Sequence, residues 1–110
     1  MDGKRGGSTL LSEDADLVLK AIEETFGVTR EDLLGHCRKQ RLVVPRHFAM
    51  YRLSKMGWSR AAIGDLIGGR DHTTVCHGVA KVTSHLSKRN PDWVRWDKQV
   101  ETRWTAFTST

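Results

Sequence analysis

The 110-residue chain has only two cysteines, two prolines and one tyrosine. Cys37 and Cys76 stand in no CxxC arrangement, so a disulfide framework is excluded and two inert thiols in a reduced, cytosolic compartment are expected. No apolar run is long enough to span a bilayer, which excludes an integral membrane helix. The opening "MDGKRGGSTL" lacks the apolar stretch of a signal peptide, and residues 1–10 read as a flexible lead-in. Period-two strand patterns and internal repeats are also missing. What remains is one helical domain large enough for a modest core without metals or disulfides.

Acidic residues are scarce in the middle of the chain. Residues 1–35 carry 4 Lys/Arg against 8 Asp/Glu, residues 36–90 carry 11 against 2, and residues 91–110 carry 3 against 3. The local charges are therefore −4, +9 and 0. A basic block with helix-like apolar spacing is an electrostatic footprint for a polyanion, most often nucleic acid; charge alone leaves open a solvated basic face with no partner.

Helix signals fill most of the chain. Ser12 can cap a first helix that carries Val18, Ala21, Ile22, Thr25 and Phe26 on one face and stops at Gly27. Thr29 followed by Asp32 is a capping-box variant opening a short helix with Leu33 and Leu34, ended by Gly35. After the basic connector "HCRKQRLVV", Pro45 pre-sets the next helix, which runs to Gly57. Ser59 caps "RAAIGDLI", a "GGR" turn follows, and Asp71 caps a longer helix whose Val75, Val79, Val82 and Leu86 must face the core. Pro91 ends it. In the tail, Trp93, Trp96, Val100, Trp104 and Phe107 form an amphipathic aromatic stripe, which either packs back onto the bundle or presents a partner-binding surface.

The chemistry concentrates in "IGGRDHTTVCHGV", residues 67–79. Gly64 and Gly69 have the spacing of a phosphate loop, but Arg70 replaces its lysine and Asp71 its hydroxyl, and a helix, not a strand, precedes them. His72, Cys76 and His77 offer no fourth metal ligand, and His77 points away from the other two. Cys76 as a nucleophile lacks an oxyanion hole and an orienting acid, so no enzyme is expected. A short helix, a glycine turn and a longer helix make a helix-turn-helix, whose second helix begins with Arg70, Asp71, His72, Thr73 and Thr74. Those residue types can read base edges in a major groove, and none is needed by the core.

"GGRDHTTV", with "VPRHFAMYRLSK" and "AAIGDLI" before it, resembles the C-terminal DNA-binding domain of the bacterial replication initiator DnaA. The similarity extends from about residue 18 to about residue 88 and weakens in the tryptophan-rich tail. It implies that Arg70, Asp71, His72, Thr73 and Thr74 read bases of a DnaA-box-like duplex and that Arg38 enters the minor groove. Arg46 and His47 stand where the family contacts DNA with an Arg-Gln pair, the histidine being a departure. The resemblance places Ser59 and Arg60 against phosphate, with His77, Gly78 and Lys81 on the exposed side of the recognition helix and Gly78 replacing a common alanine. Lys39, Arg41 and Lys81 suit phosphate neutralisation. The connection "KMGWSRAAIG" is one residue shorter than usual in the family.

The expected architecture is therefore all-α, a helical bundle with a helix-turn-helix: a lead-in over 1–10, the DNA-binding domain over 11–90, and a packed tryptophan-rich helix over 91–110. The expected function is sequence-specific double-stranded DNA binding by a bacterial, phage or mobile-element regulator of replication initiation or transcription. It would be nucleoid-associated in the cytoplasm, cofactor-free, monomeric or weakly dimeric. Since none of the 110 residues forms a Walker A or Walker B element, no ATPase activity is expected, and the chain reads as a free-standing DNA reader. The alternative is a protein-interaction adaptor using Trp93, Trp96 and Trp104.

Overall fold

The computed structural model describes the backbone of residues 2–36 and 39–108, and side chains from residue 13 onward within them. Six helices appear in chain order: α1 (Asp2–Phe26), α2 (Arg30–Leu34), α3 (Val43–Lys55), α4 (Arg60–Leu66), α5 (His72–Ser87) and α6 (Pro91–Thr108). A single 3-10 turn, Gln40–Leu42, leads into α3, and no strand occurs among the described residues. The fold is all-α, as expected.

Local signals account for most boundaries. Thr29 accepts from the Asp32 amide at 3.0 Å while Asp32 accepts from the Thr29 amide at 3.1 Å, a reciprocal box that starts α2. Ser59 and Asp71 cap α4 and α5 through the amides of Ala62 and Thr73. Two expectations change. α1 begins at Asp2, so Ser12 lies inside it rather than at its cap, and residues 2–10 belong to the helix. With no proline in that stretch, a helix nucleated downstream can extend toward the terminus. α3 begins at Val43, before Pro45, whose missing N–H falls in the first turn where it costs nothing.

The core forms where the faces of α1, α3, α4, α5 and α6 meet. Ile22, Leu33, Phe48, Leu53, Ile63, Val75, Val82 and Val100 are fully buried. α5 packs against α3 and α4, while α6 lies along α1. The aromatic stripe of α6 turns inward: Trp93 stacks on Phe48 at 5.5 Å and on the His85 ring at 4.0 Å, and Trp96 meets Phe26 at 5.5 Å. Arg52 of α3 reaches across to Asp97 at 2.9 Å and to Glu101, fastening α3 to α6. Trp104 is half-buried too, with its indole N–H enclosed. This packing engages part of each of the three indoles in the core and leaves Trp93, Trp96 and Trp104 partly exposed. Among the described residues Val94 is the exposed large hydrophobic side chain.

Candidate nucleic-acid interface

The turn between α4 and α5 is tighter than its glycine content alone requires. Gly64, on the inner side of α4, lies so close to the start of α5 that a Cβ there would come within 2.1 Å of the Arg70 carbonyl oxygen. The Arg70 amide donates back to the Gly64 carbonyl at 2.7 Å. Gly68 has φ 75°, in the left-handed region, and a Cβ on it would meet the Leu34 carbonyl oxygen at 2.2 Å. α4, the turn and α5 therefore form a fixed corner, with the start of α5 carried outward.

At that start, Asp71, His72, Thr73 and Thr74 are all exposed. Hydrogen bonding from Thr73 holds the Asp71 carboxyl below the usual carboxylate range, and the adjacent His72 adds to this. Asp71 thus stays ionised at the exposed start of α5. Thr73, His77 and Lys81 recur every four residues along one exposed strip of α5, opposite the buried Val75 and Val82. Gly78, expected on the exposed side with His77 and Lys81, instead falls on that buried face, where helical spacing turns it toward His47 and Met50 of α3. Ser84 and Lys88 extend the exposed strip; their helical spacing is visible in the sequence, but the resemblance singles out neither residue. Exposed Cys76 also lies beside this strip.

The remaining candidates divide. Lys39 and Arg41 are exposed beside α2, Arg41 lying 3.7 Å from Asp32. Ser59 caps α4 with its Oγ, and half-buried Arg60 donates to the Ser54 hydroxyl. Arg38 lies outside the described residues. Two arginines expected on DNA turn inward. Arg46 is 7% exposed and donates to the carbonyls of Asp32 at 2.6 Å, Gly35 at 3.2 Å and Leu33 at 3.3 Å. These are the orphan acceptors at the C-terminal end of α2, and a buried guanidinium is well suited to them. Arg70 likewise donates to the Ile67 carbonyl and, at 2.8 Å, to that of Gly35. Burial, with the neighbouring Arg46 charge, lowers its pKa.

His47 is half-buried on α3, with its ring against the backbone of α5. A Cβ on Gly78 would sit 3.0 Å from His47 Cδ2 and 2.6 Å from Met50 Sδ. His47 and Gly78 thus occupy one contact. The His47 Nδ1 is enclosed without a hydrogen-bond partner, and burial, followed by the charge of Lys81, pushes its pKa down.

No three His, Cys, Asp or Glu side chains among the described residues gather as metal ligands. No helix among them is long and apolar enough to cross a membrane.

Comparison with known proteins points to the same corner. A family model described as the bacterial dnaA protein helix-turn-helix matches residues 15–82, which run from the middle of α1 through most of α5. The chromosomal replication initiator protein DnaA of Thermomicrobium roseum is 45% identical over 83 residues, covering 74% of this chain and 17% of that protein. That of Thermus thermophilus is 40% identical over 75 residues, covering 66% and 17%, and that of Herpetosiphon aurantiacus 38% over 74, covering 66% and 16%. The chain thus matches only a small part of these relatives. With the family model covering more than half of the chain, and the matched residues building the corner just described, the chain belongs to the bacterial DnaA helix-turn-helix family.

Proposed function

We propose that this domain binds double-stranded DNA sequence-specifically at DnaA-box-like sites and regulates replication initiation or transcription by occupying them, without hydrolysing nucleotide. The observation that carries this is the start of α5: Asp71, His72, Thr73 and Thr74 stand exposed on a rigid glycine corner and have no part in the core. A carboxylate can accept from cytosine, an imidazole can donate or accept, and threonine methyls can rest on thymine. His77 and Lys81 follow on the same strip, and Lys39, Arg41, Ser59 and Arg60 are assigned to phosphate contacts. Arg46 is omitted because its donors are committed to α2. The relatives' name, chromosomal replication initiator, supports a replication setting. A nucleoid location follows from such a role.

The test is binding of the purified chain to a labelled duplex carrying a DnaA box and to a scrambled duplex, at two salt concentrations. Preference for the box by about 100-fold or more, lost in His72→Ala, is expected, with affinity falling steeply as salt rises. Equal binding to both duplexes in wild type and variant would overturn the reading.

A further inference from the structure

The end of α2 and the turn before α5 meet at a single carbonyl oxygen. Gly35 O accepts from Arg46 Nη2 at 3.2 Å and from Arg70 Nη2 at 2.8 Å. The other end of the Arg70 fork holds the Ile67 carbonyl in the turn, while Arg46 holds Asp32 and Leu33. Gly68 closes the gap, since only the absence of a Cβ lets it approach the Leu34 carbonyl. No carboxylate among the described residues lies within ion-pair reach of Arg70, so its charge serves backbone oxygens. On one side of this junction the chain continues to the exposed Lys39 and Arg41; on the other it enters α5 at Asp71 and His72.

We propose that Arg70 is a positioning residue: with Arg46, through the shared Gly35 carbonyl, it fixes the Lys39–Arg41 segment relative to the reading end of α5, so that both grip one DNA site in a set register. Its DNA consequence rests on the function proposed above; the junction itself does not. A guanidinium fork can bridge Ile67 and Gly35 together, whereas an ammonium is a point charge without that fixed geometry. Arg70→Lys therefore keeps the charge and loses the bridge. Were Arg70 instead a phosphate contact, lysine would serve nearly as well.

Two measurements decide it. In the free protein, the amide resonances of Leu34–His36 and of Lys39–Leu42 shift in Arg70→Lys while the helical circular dichroism stays at the wild-type level. On DNA, Arg70→Lys lowers affinity for the specific duplex about tenfold, with affinity for a scrambled duplex changed no more than about twofold. Combined with Lys39→Ala, the two losses multiply to less than their product, because the strut that orders Lys39 is already gone. Unmoved connector resonances, retained site preference in Arg70→Lys, or strictly multiplicative losses would each overturn the proposal. If wild type shows no site preference, the proposed function fails by itself, and the spectra of the free protein still decide the strut.

Discussion

At the scale of residues, His47 and Gly78 were each visible in the sequence as departures from the family pattern, but not as one contact. Helical spacing places a residue on a face without saying which side chain of a neighbouring helix covers it. Here the imidazole lies over a backbone stripped of its Cβ. Gly78→Ala is expected to destabilise by about 1–3 kcal/mol despite alanine's better helix propensity, and His47→Gln in the same chain to recover part of the loss, leaving the Met50 clash. Urea unfolding of the two singles and the double measures this. The lowered His47 pKa has a sign that can be worked out. The unfolded chain takes up a proton near 6.5 and the folded one resists it, so stability is complete above that pH and falls as pH drops toward the folded pKa. Unfolding midpoints on either side of pH 6.5 should show a decline that His47→Gln reduces. Asp71 combines two roles that substitution separates. Asn caps a helix as well as Asp, so Asp71→Asn should keep stability and lose site preference, whereas Asp71→Ala should also lose about 1 kcal/mol. Unchanged site preference in Asp71→Asn would reduce Asp71 to a cap. Arg46 and Arg70 were legible as cations but not in direction, because a guanidinium suits a phosphate and a helix-end carbonyl equally.

At the scale of elements, the ends of helices were the clearest part of the sequence. Thr29, Ser59 and Asp71 all cap where their side-chain oxygens predicted, and Pro91 opens α6. Ser12 has the same chemistry but its backbone lies within α1, and a capping side chain acts only where the backbone leaves the helix. The connector gave no periodic signal, and its 3-10 turn at Gln40–Leu42 is held by burial of Leu42, a tertiary effect. The α4–α5 corner yields a prediction opposite to propensity. Gly64 lies inside a helix, where alanine ordinarily stabilises by roughly 0.5–1 kcal/mol. Here the added methyl would meet the Arg70 carbonyl at 2.1 Å, and Gly64→Ala should lower stability and site-specific affinity together. A more stable Gly64→Ala protein in thermal unfolding, with site preference intact, would show that the corner can open without consequence.

At the scale of the whole molecule, reading and holding are divided between regions. The exposed strip of α5 faces outward, while α6, beyond the family match, closes the opposite part of the core over Phe26 and Phe48. The aromatic stripe was legible as amphipathic and packing was the expected outcome, although display on the surface would need the same spacing. Packing predicts how its loss would register. Trp96 bridges α1 and α3 through those two rings while retaining an exposed edge. Trp96→Ala should therefore cost about 2–4 kcal/mol, toward the lower range for a large aromatic truncation. Its ring contacts are with Phe26, Phe48 and Trp93, none of them assigned to DNA. Among molecules that remain folded, the ratio of affinities for box and scrambled duplexes should stay at its wild-type value, while apparent affinity for both falls by the same folded fraction. His72→Ala should do the reverse, reducing the ratio at nearly constant stability. Measuring both variants by urea unfolding and by binding on the two duplexes separates the holding helix from the reading helix. A Trp96→Ala protein of unchanged stability but altered site ratio would mean that α6 takes part in recognition rather than support.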